Sequence, residues 1–181
     1  EDSTGRRDCC LHLCSSDGEF PHRGWHFGPS ARAILAASLL GPHAATVTMN
    51  VVLIVQAFVF QDGGITALGA NILNMAVVPC YLVWPIAVAL MRIRTRPRWR
   101  VFCIGLAAWA AVVIGAAACA VELGLSGTVP LSLALPAMVS IHVLVGLAEA
   151  ALTMAAVGLI WRWRKDLVLS LSEEEWQREA A

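Results

Sequence analysis

Four apolar runs, residues 43–60, 65–91, 101–124 and 133–161, each approach or exceed the roughly 20 residues an α-helix needs to cross a bilayer. They restrict the fold more than any other feature. A backbone surrounded by lipid must satisfy its own N–H and C=O groups, which leaves helices or closed barrels. The two-residue alternation of barrel strands is absent, so helices remain. Charge supports this: 14% of the 181 residues are charged and 58% are hydrophobic, against about 25% charged in soluble domains. The expectation is an all-α membrane protein, a polytopic helical bundle of four main spans plus a half-length helix.

That half-length helix is read from residues 30–40, SARAILAASLL, stopped by Gly41-Pro42. A short helix is tolerated at membrane depth only where protein or a water-filled cavity covers its ends. The run 65–91 carries Pro79 and Pro85, which predicts a break or kink near Pro79. Three regions result: a polar, poorly ordered segment 1–29, a transmembrane region 30–165, and a cytoplasmic tail 166–181. In the tail, Ser172 precedes Glu175 at capping-box spacing and predicts a short helix.

Thirteen Lys and Arg balance thirteen Asp and Glu, so no bulk basic surface points to nucleic acid. The basic residues are clustered instead. RIRTRPRWR, residues 92–100, holds five arginines, and Arg162, Arg164 and Lys165 follow the last run. The segments 61–64 and 125–132 hold no Lys or Arg. The positive-inside rule therefore places the basic segments and the C-terminus in the cytoplasm, with the Asp62-Gly63-Gly64 loop outside. Trp99, Trp161 and Trp163 fall where an interfacial aromatic belt belongs. This is the layout of a multi-pass protein of the plasma (inner) membrane.

Cys80, Cys103 and Cys119 lie in apolar runs, where cysteine acts as a small hydrophobe. Cys9, Cys10 and Cys14 surround His12 in CCLHLC, a set able to bind a soft metal but too tightly spaced for a usual zinc pair. An unstructured segment is the plainer reading. The start, EDSTGRRD, has neither Met nor the layout of a signal peptide, so an incomplete N-terminus is expected.

Polar groups within the runs are few: Asn50, Gln56, Asn71, Asn74, Glu122, His142 and Glu149. Each unpaired group in hydrocarbon costs several kcal/mol, on the order of 2–7. Asn71 and Asn74, at i and i+3, share a helix face. Such amides either bond a neighbouring helix or clamp a loop over a site, and both roles are open. His142 and Glu149 are seven residues apart, about 10.5 Å along a helix, too far to ligate one ion together. Glu149, with Thr153 one turn on, is a functional group or a partner for an amide or Arg elsewhere. Glu122, near a helix end, is expected to reach the outer interface.

LLGPHAATVTMNVVLIVQAFVFQDGGITALGANILNMAVV, and HVLVGLAEAALT followed by RKDLV, resemble the cobalt/nickel substrate-capture subunit of energy-coupling-factor importers over roughly residues 30–168. The resemblance implies a subunit that captures Ni(II) or Co(II) outside as transported substrate, with no organic cofactor. It implies a transmembrane coupling protein and two ATP-hydrolysing subunits as partners. This fits the lack of a GxxxxGK[ST] loop, and the chain is read as no enzyme. In that family an N-terminal Met-His and a further loop His hold the ion. Here the Met-His start and two preceding spans are missing, and Pro29 occupies the loop ligand position. His26, three residues earlier, is the candidate displaced ligand, with His22 a weaker one; His43 is expected to cap the turn after Gly41-Pro42. Asp62, Asn71 and Asn74, with His142 and Glu149, are then supporting or structural residues, the two amides bracing the ligand loops. The alternative is a truncated or degenerate copy that assembles with partners without binding metal.

Overall fold

A residue with no Cβ ends the first helix. α1 (Pro29–Leu40) stops at Gly41, whose φ of 82° is a left-handed conformation that glycine adopts without strain. Gly41 still caps both sides of the turn: its N–H donates to Ala37 O at 3.0 Å, and its own carbonyl accepts from Ala45 N at 3.0 Å. Pro42 then opens α2, where a missing N–H costs nothing. The computed structural model describes residues 29–60, 64–94, 96–164 and 168. The expectations for residues 1–28, including CCLHLC, and for the tail helix lie outside the described residues.

α2 (Pro42–Val55) widens into a π-helical turn over Gln56–Phe60, and together they make the first candidate span. The second, Leu68–Met91, comprises α3 (Leu68–Ile72), a π-helical segment Leu73–Val83 and α4 (Trp84–Met91). The third is α5 (Pro97–Leu125) and the fourth α6 (Leu131–Trp163). Four spans and one shorter apolar helix match the architecture expected from the apolar runs, and the chain is a multi-pass membrane protein.

Of the break or kink expected near Pro79, a break does not occur: the helix runs on through Pro79 as a π-helix. Proline cannot donate to the carbonyl four residues back and its ring crowds that carbonyl. Here the helix is already wound at five residues per bond, as in Trp84 N–H to Pro79 O. The wider winding carries the chain past the proline without interruption.

Packing is that of a membrane bundle. The buried positions are dominated by small residues, among them Ala31, Ala37, Ala76, Ala108, Ala111 and Gly115, while Phe58, Phe60 and Leu144 lie outward at 60–71% exposure. Small residues let helix backbones approach, and the large apolar ones are left for lipid. α5 is the central element. Half of its most apolar window is buried, against 22% for the first span and 28% for the fourth. It packs on α6, α1, α4 and the π-helical segment. Cys80 and Cys103 are buried free thiols as expected, whereas Cys119 is disulfide-bonded.

Trp109 ties α5 to α6, its indole N–H donating to Val143 O at 3.2 Å, with the ring edge against Gly146. Trp109→Phe removes the bond and the five-membered part of the ring, and is expected to cost about 1–2 kcal/mol. Trp109→Ala also opens a cavity and should cost about 3 kcal/mol or more. Thermal unfolding of the detergent-purified protein compares them; equal losses would mean that packing contributes nothing beyond the bond.

Candidate functional site

The lipid environment makes a buried amide seek a partner, and Asn74 has found a carboxylate. Asn74 lies in the π-helical segment, 4% exposed, and its Nδ2 donates to Glu122 Oε2 on α5 at 3.0 Å. Its other amide atom, Oδ1, is buried without a hydrogen-bond partner among the described residues. Directly below, Gly115 of α5 leaves room for the Asn74 backbone. A Cβ at Gly115 would lie 3.3 Å from Asn74 O and 3.5 Å from Ser30 Oγ. The start of α1, the second span and α5 thus converge on one buried polar spot.

Topology places this spot. Residues 92–96 join the second span to α5, so the two helices are antiparallel. Asn74 and Glu122 stand toward the ends away from that arginine-bearing turn. Those ends lead into the 61–64 and 125–130 connections, which carry no Lys or Arg. Gly127, with φ of 70°, and a Ser126 Oγ bond to Leu123 O at 2.8 Å close the second of these.

Glu122 was expected to reach the outer interface; it is half-buried and turned inward to Asn74 instead. Asn71, one turn before Asn74, is half-buried and joins no such pair among the described residues. His43 does not cap the turn, since α2 has no side-chain cap. Its Nδ1 lies 2.9 Å from Tyr81 Oη, with the rings tilted and 5.5 Å apart. His142 Nδ1 sits 2.7 Å from Met138 O, and because a carbonyl only accepts, that nitrogen carries the proton. Glu149 and Thr153 are buried on α6 at 5% and 0% exposure. His142 and Glu149 do not join the Asn74 cluster through any described bond. His22, His26 and Asp62 lie outside the described residues.

Among the described residues no three His, Cys, Asp or Glu side chains are grouped to hold an ion. What Asn74 and Glu122 form is a single hydrogen-bonded amide–carboxyl pair at one end of the bundle. A carboxylate fixed by an amide can orient neighbouring ligands or favour a cation nearby.

A family model described as the cobalt uptake substrate-specific transmembrane region matches residues 31–167. The fused nickel transport protein NikMN of Rhodobacter capsulatus is 39% identical over 153 residues, covering 74% of this chain and 43% of that protein. The cobalt transport protein CbiM of Geobacter sulfurreducens is 30% identical over 142 residues, covering 76% and 40%. A crystal structure of a transition metal transporter superimposes with a TM-score of 0.66 at 30% identity, covering 76% of this chain and 66% of that one. The chain therefore spans less than half the length of the two curated relatives.

Proposed function

The chain belongs to the cobalt uptake substrate-specific transmembrane family, and from that premise we propose that it is the membrane-embedded capture subunit of an ATP-driven energy-coupling-factor importer. Ni(II) or Co(II) is its substrate, taken up on the external face. A transmembrane coupling protein and two ATP-hydrolysing subunits supply the drive. The family is one of transport components rather than enzymes.

One observation carries the reading beyond family membership: the part-buried Asn74–Glu122 hydrogen bond beside the start of α1. His26 precedes α1 by three residues in the sequence. A ligand on the segment leading into α1 would enter the bundle at the end where that pair stands. The pair then braces the ligand-bearing segment, and Asn71 assists from the turn before. Clustering of arginine at residues 92–100 supports placing this end outside and the C-terminus in the cytoplasm.

The test uses the full-length protein with its coupling partners. Calorimetric titration with Ni(II), Co(II) and Mg(II) should give binding of the first two only, and His26→Ala should weaken it. Equal, weak heats for all three ions would remove the capture role and leave an assembly-only copy. In the same importer Asn71→Leu is expected to lower nickel uptake with the folded fraction unchanged. Wild-type uptake would reduce Asn71 to packing.

A further inference from the structure

The chain has six cysteines: Cys9, Cys10, Cys14, Cys80, Cys103 and Cys119. Cys80 and Cys103 are free thiols buried in the core, and Cys119 is disulfide-bonded. By elimination its partner in the chain is one of the three cysteines of CCLHLC, residues 9–14.

The position of Cys119 makes that bond informative. It lies one turn beyond Gly115 and one turn before Glu122 on α5, so the three share a helix face. Glu122 accepts from Asn74 on that face. Ser30, at the start of α1, reaches the same face, with its Oγ 3.5 Å from where a Cβ of Gly115 would lie. A chain bridged at Cys119 that re-enters beside Gly115 is pinned at adjacent turns of α5, about 6 Å apart along its axis. A disulfide holds its two Cα atoms within about 7 Å. His12 is three residues from Cys9 and two from Cys10 and Cys14. Any of the three pairings therefore leaves His12 within about 11 Å of the bridging cysteine.

We propose that a disulfide from CCLHLC to Cys119 delivers His12 to the Asn74–Glu122 pair as a nitrogen ligand for the captured ion. The ligand role of His12 rests on the capture reading above; the bond does not. Imidazole suits Ni(II) and Co(II), and Glu122 brings a carboxyl group to the same face. The described histidines are engaged elsewhere, His43 with Tyr81 and His142 with Met138 O. To form the bond, the two thiols pass two protons and two electrons to a disulfide oxidant, which leaves as two thiols. Such oxidants act outside the cytoplasm, which agrees with the side the arginine clusters assign to this end.

The test begins with the purified protein, its free thiols blocked by N-ethylmaleimide and its monomer isolated on a non-reducing gel. Trypsin cleavage after Arg7, Arg23, Arg100 and Arg162 releases residues 8–23 and 101–162. Mass spectrometry is expected to find the two as one linked species that a reductant separates. Ni(II) titration of the full protein then compares the wild type with Cys119→Ser, with the triple variant Cys9→Ser, Cys10→Ser, Cys14→Ser, and with His12→Ala. Each should bind about tenfold more weakly or worse, since a ligand tied to its site gains at least that much. His12→Ala should do so with the linked species intact. The triple variant and His12→Ala leave α5 unaltered, so a folding defect in Cys119→Ser does not decide the outcome. Absence of the linked species overturns the proposal whatever the titration gives. Wild-type Ni(II) binding by His12→Ala removes His12 from the site. A wild type that binds no Ni(II) overturns the capture reading and the role of His12 together, and the bond is then judged by the peptides alone.

Discussion

Replacing Glu122 with Gln is expected to lower nickel accumulation by the assembled importer about tenfold while leaving the protein as stable as before, or more so. The reasoning separates two roles of one side chain. Asn74 is 4% exposed and donates to Glu122 through Nδ2, while its Oδ1 is buried with no partner among the described residues. A glutamine at 122 keeps an acceptor for Nδ2 and adds an N–H₂ that can reach Oδ1. The orphaned oxygen would then be satisfied, a gain of about 1 kcal/mol. What the glutamine lacks is the negative charge, and a divalent substrate is the species that would notice.

Glu122→Leu removes both roles. The Asn74 amide would be buried with neither end bonded, a cost of about 1–3 kcal/mol, and uptake should fall with stability. Thermal unfolding and radiolabelled nickel uptake, measured on both variants, divide the outcomes. Glutamine giving wild-type uptake would mean the charge is irrelevant and the pair only holds two helices together, the commoner use of amides in membrane bundles.

The architecture could be read from the chain because it depends on run length alone. A stretch such as 101–124 has one low-energy arrangement in lipid, and α5 spans Pro97–Leu125. The passage through Pro79 could not be read, because proline's effect depends on the winding around it, and nothing in LNMAVVPCYLV announces a π-helix. The Asn74–Glu122 bond was hidden for a different reason. Asn74 lies 17 residues before the end of its span and Glu122 lies 25 after the start of α5, so counting outward from the shared turn does not match them. Helical side chains lean toward their own N-terminus. In antiparallel neighbours that sends Asn74 outward and Glu122 inward, and the two meet between their backbone levels. His43 shows the same limit: a histidine after Gly-Pro looks like a cap, yet its partner, Tyr81, is 38 residues away. Long-range side-chain pairing is set by tilt and packing, which periodicity does not encode.

Gly115→Leu is expected to disrupt the same region from below, through volume rather than charge. Gly115 separates three elements: its missing Cβ would sit 3.3 Å from Asn74 O on the second span and 3.5 Å from Ser30 Oγ on α1. Alanine there is tight, but its better helix propensity, about 1 kcal/mol over glycine, offsets a shift of a few tenths of an ångström, so Gly115→Ala should be close to neutral. Leucine has no such accommodation. Its branches must push either a backbone carbonyl or the start of α1, and overpacking of this kind costs about 1–3 kcal/mol, or roughly 2–12 °C in the unfolding midpoint for a chain of this size. Because Asn74 is the neighbour displaced, its bond to Glu122 should lengthen and nickel uptake should fall as well. Gly158 on α6 supplies the control, since a Cβ there meets nothing within 4 Å, and Gly158→Leu should leave both stability and uptake nearly unchanged. If Gly115→Leu unfolds no earlier than Gly158→Leu, the three elements do not meet as closely as their backbones indicate, and the support assigned to Asn74 loses its foundation.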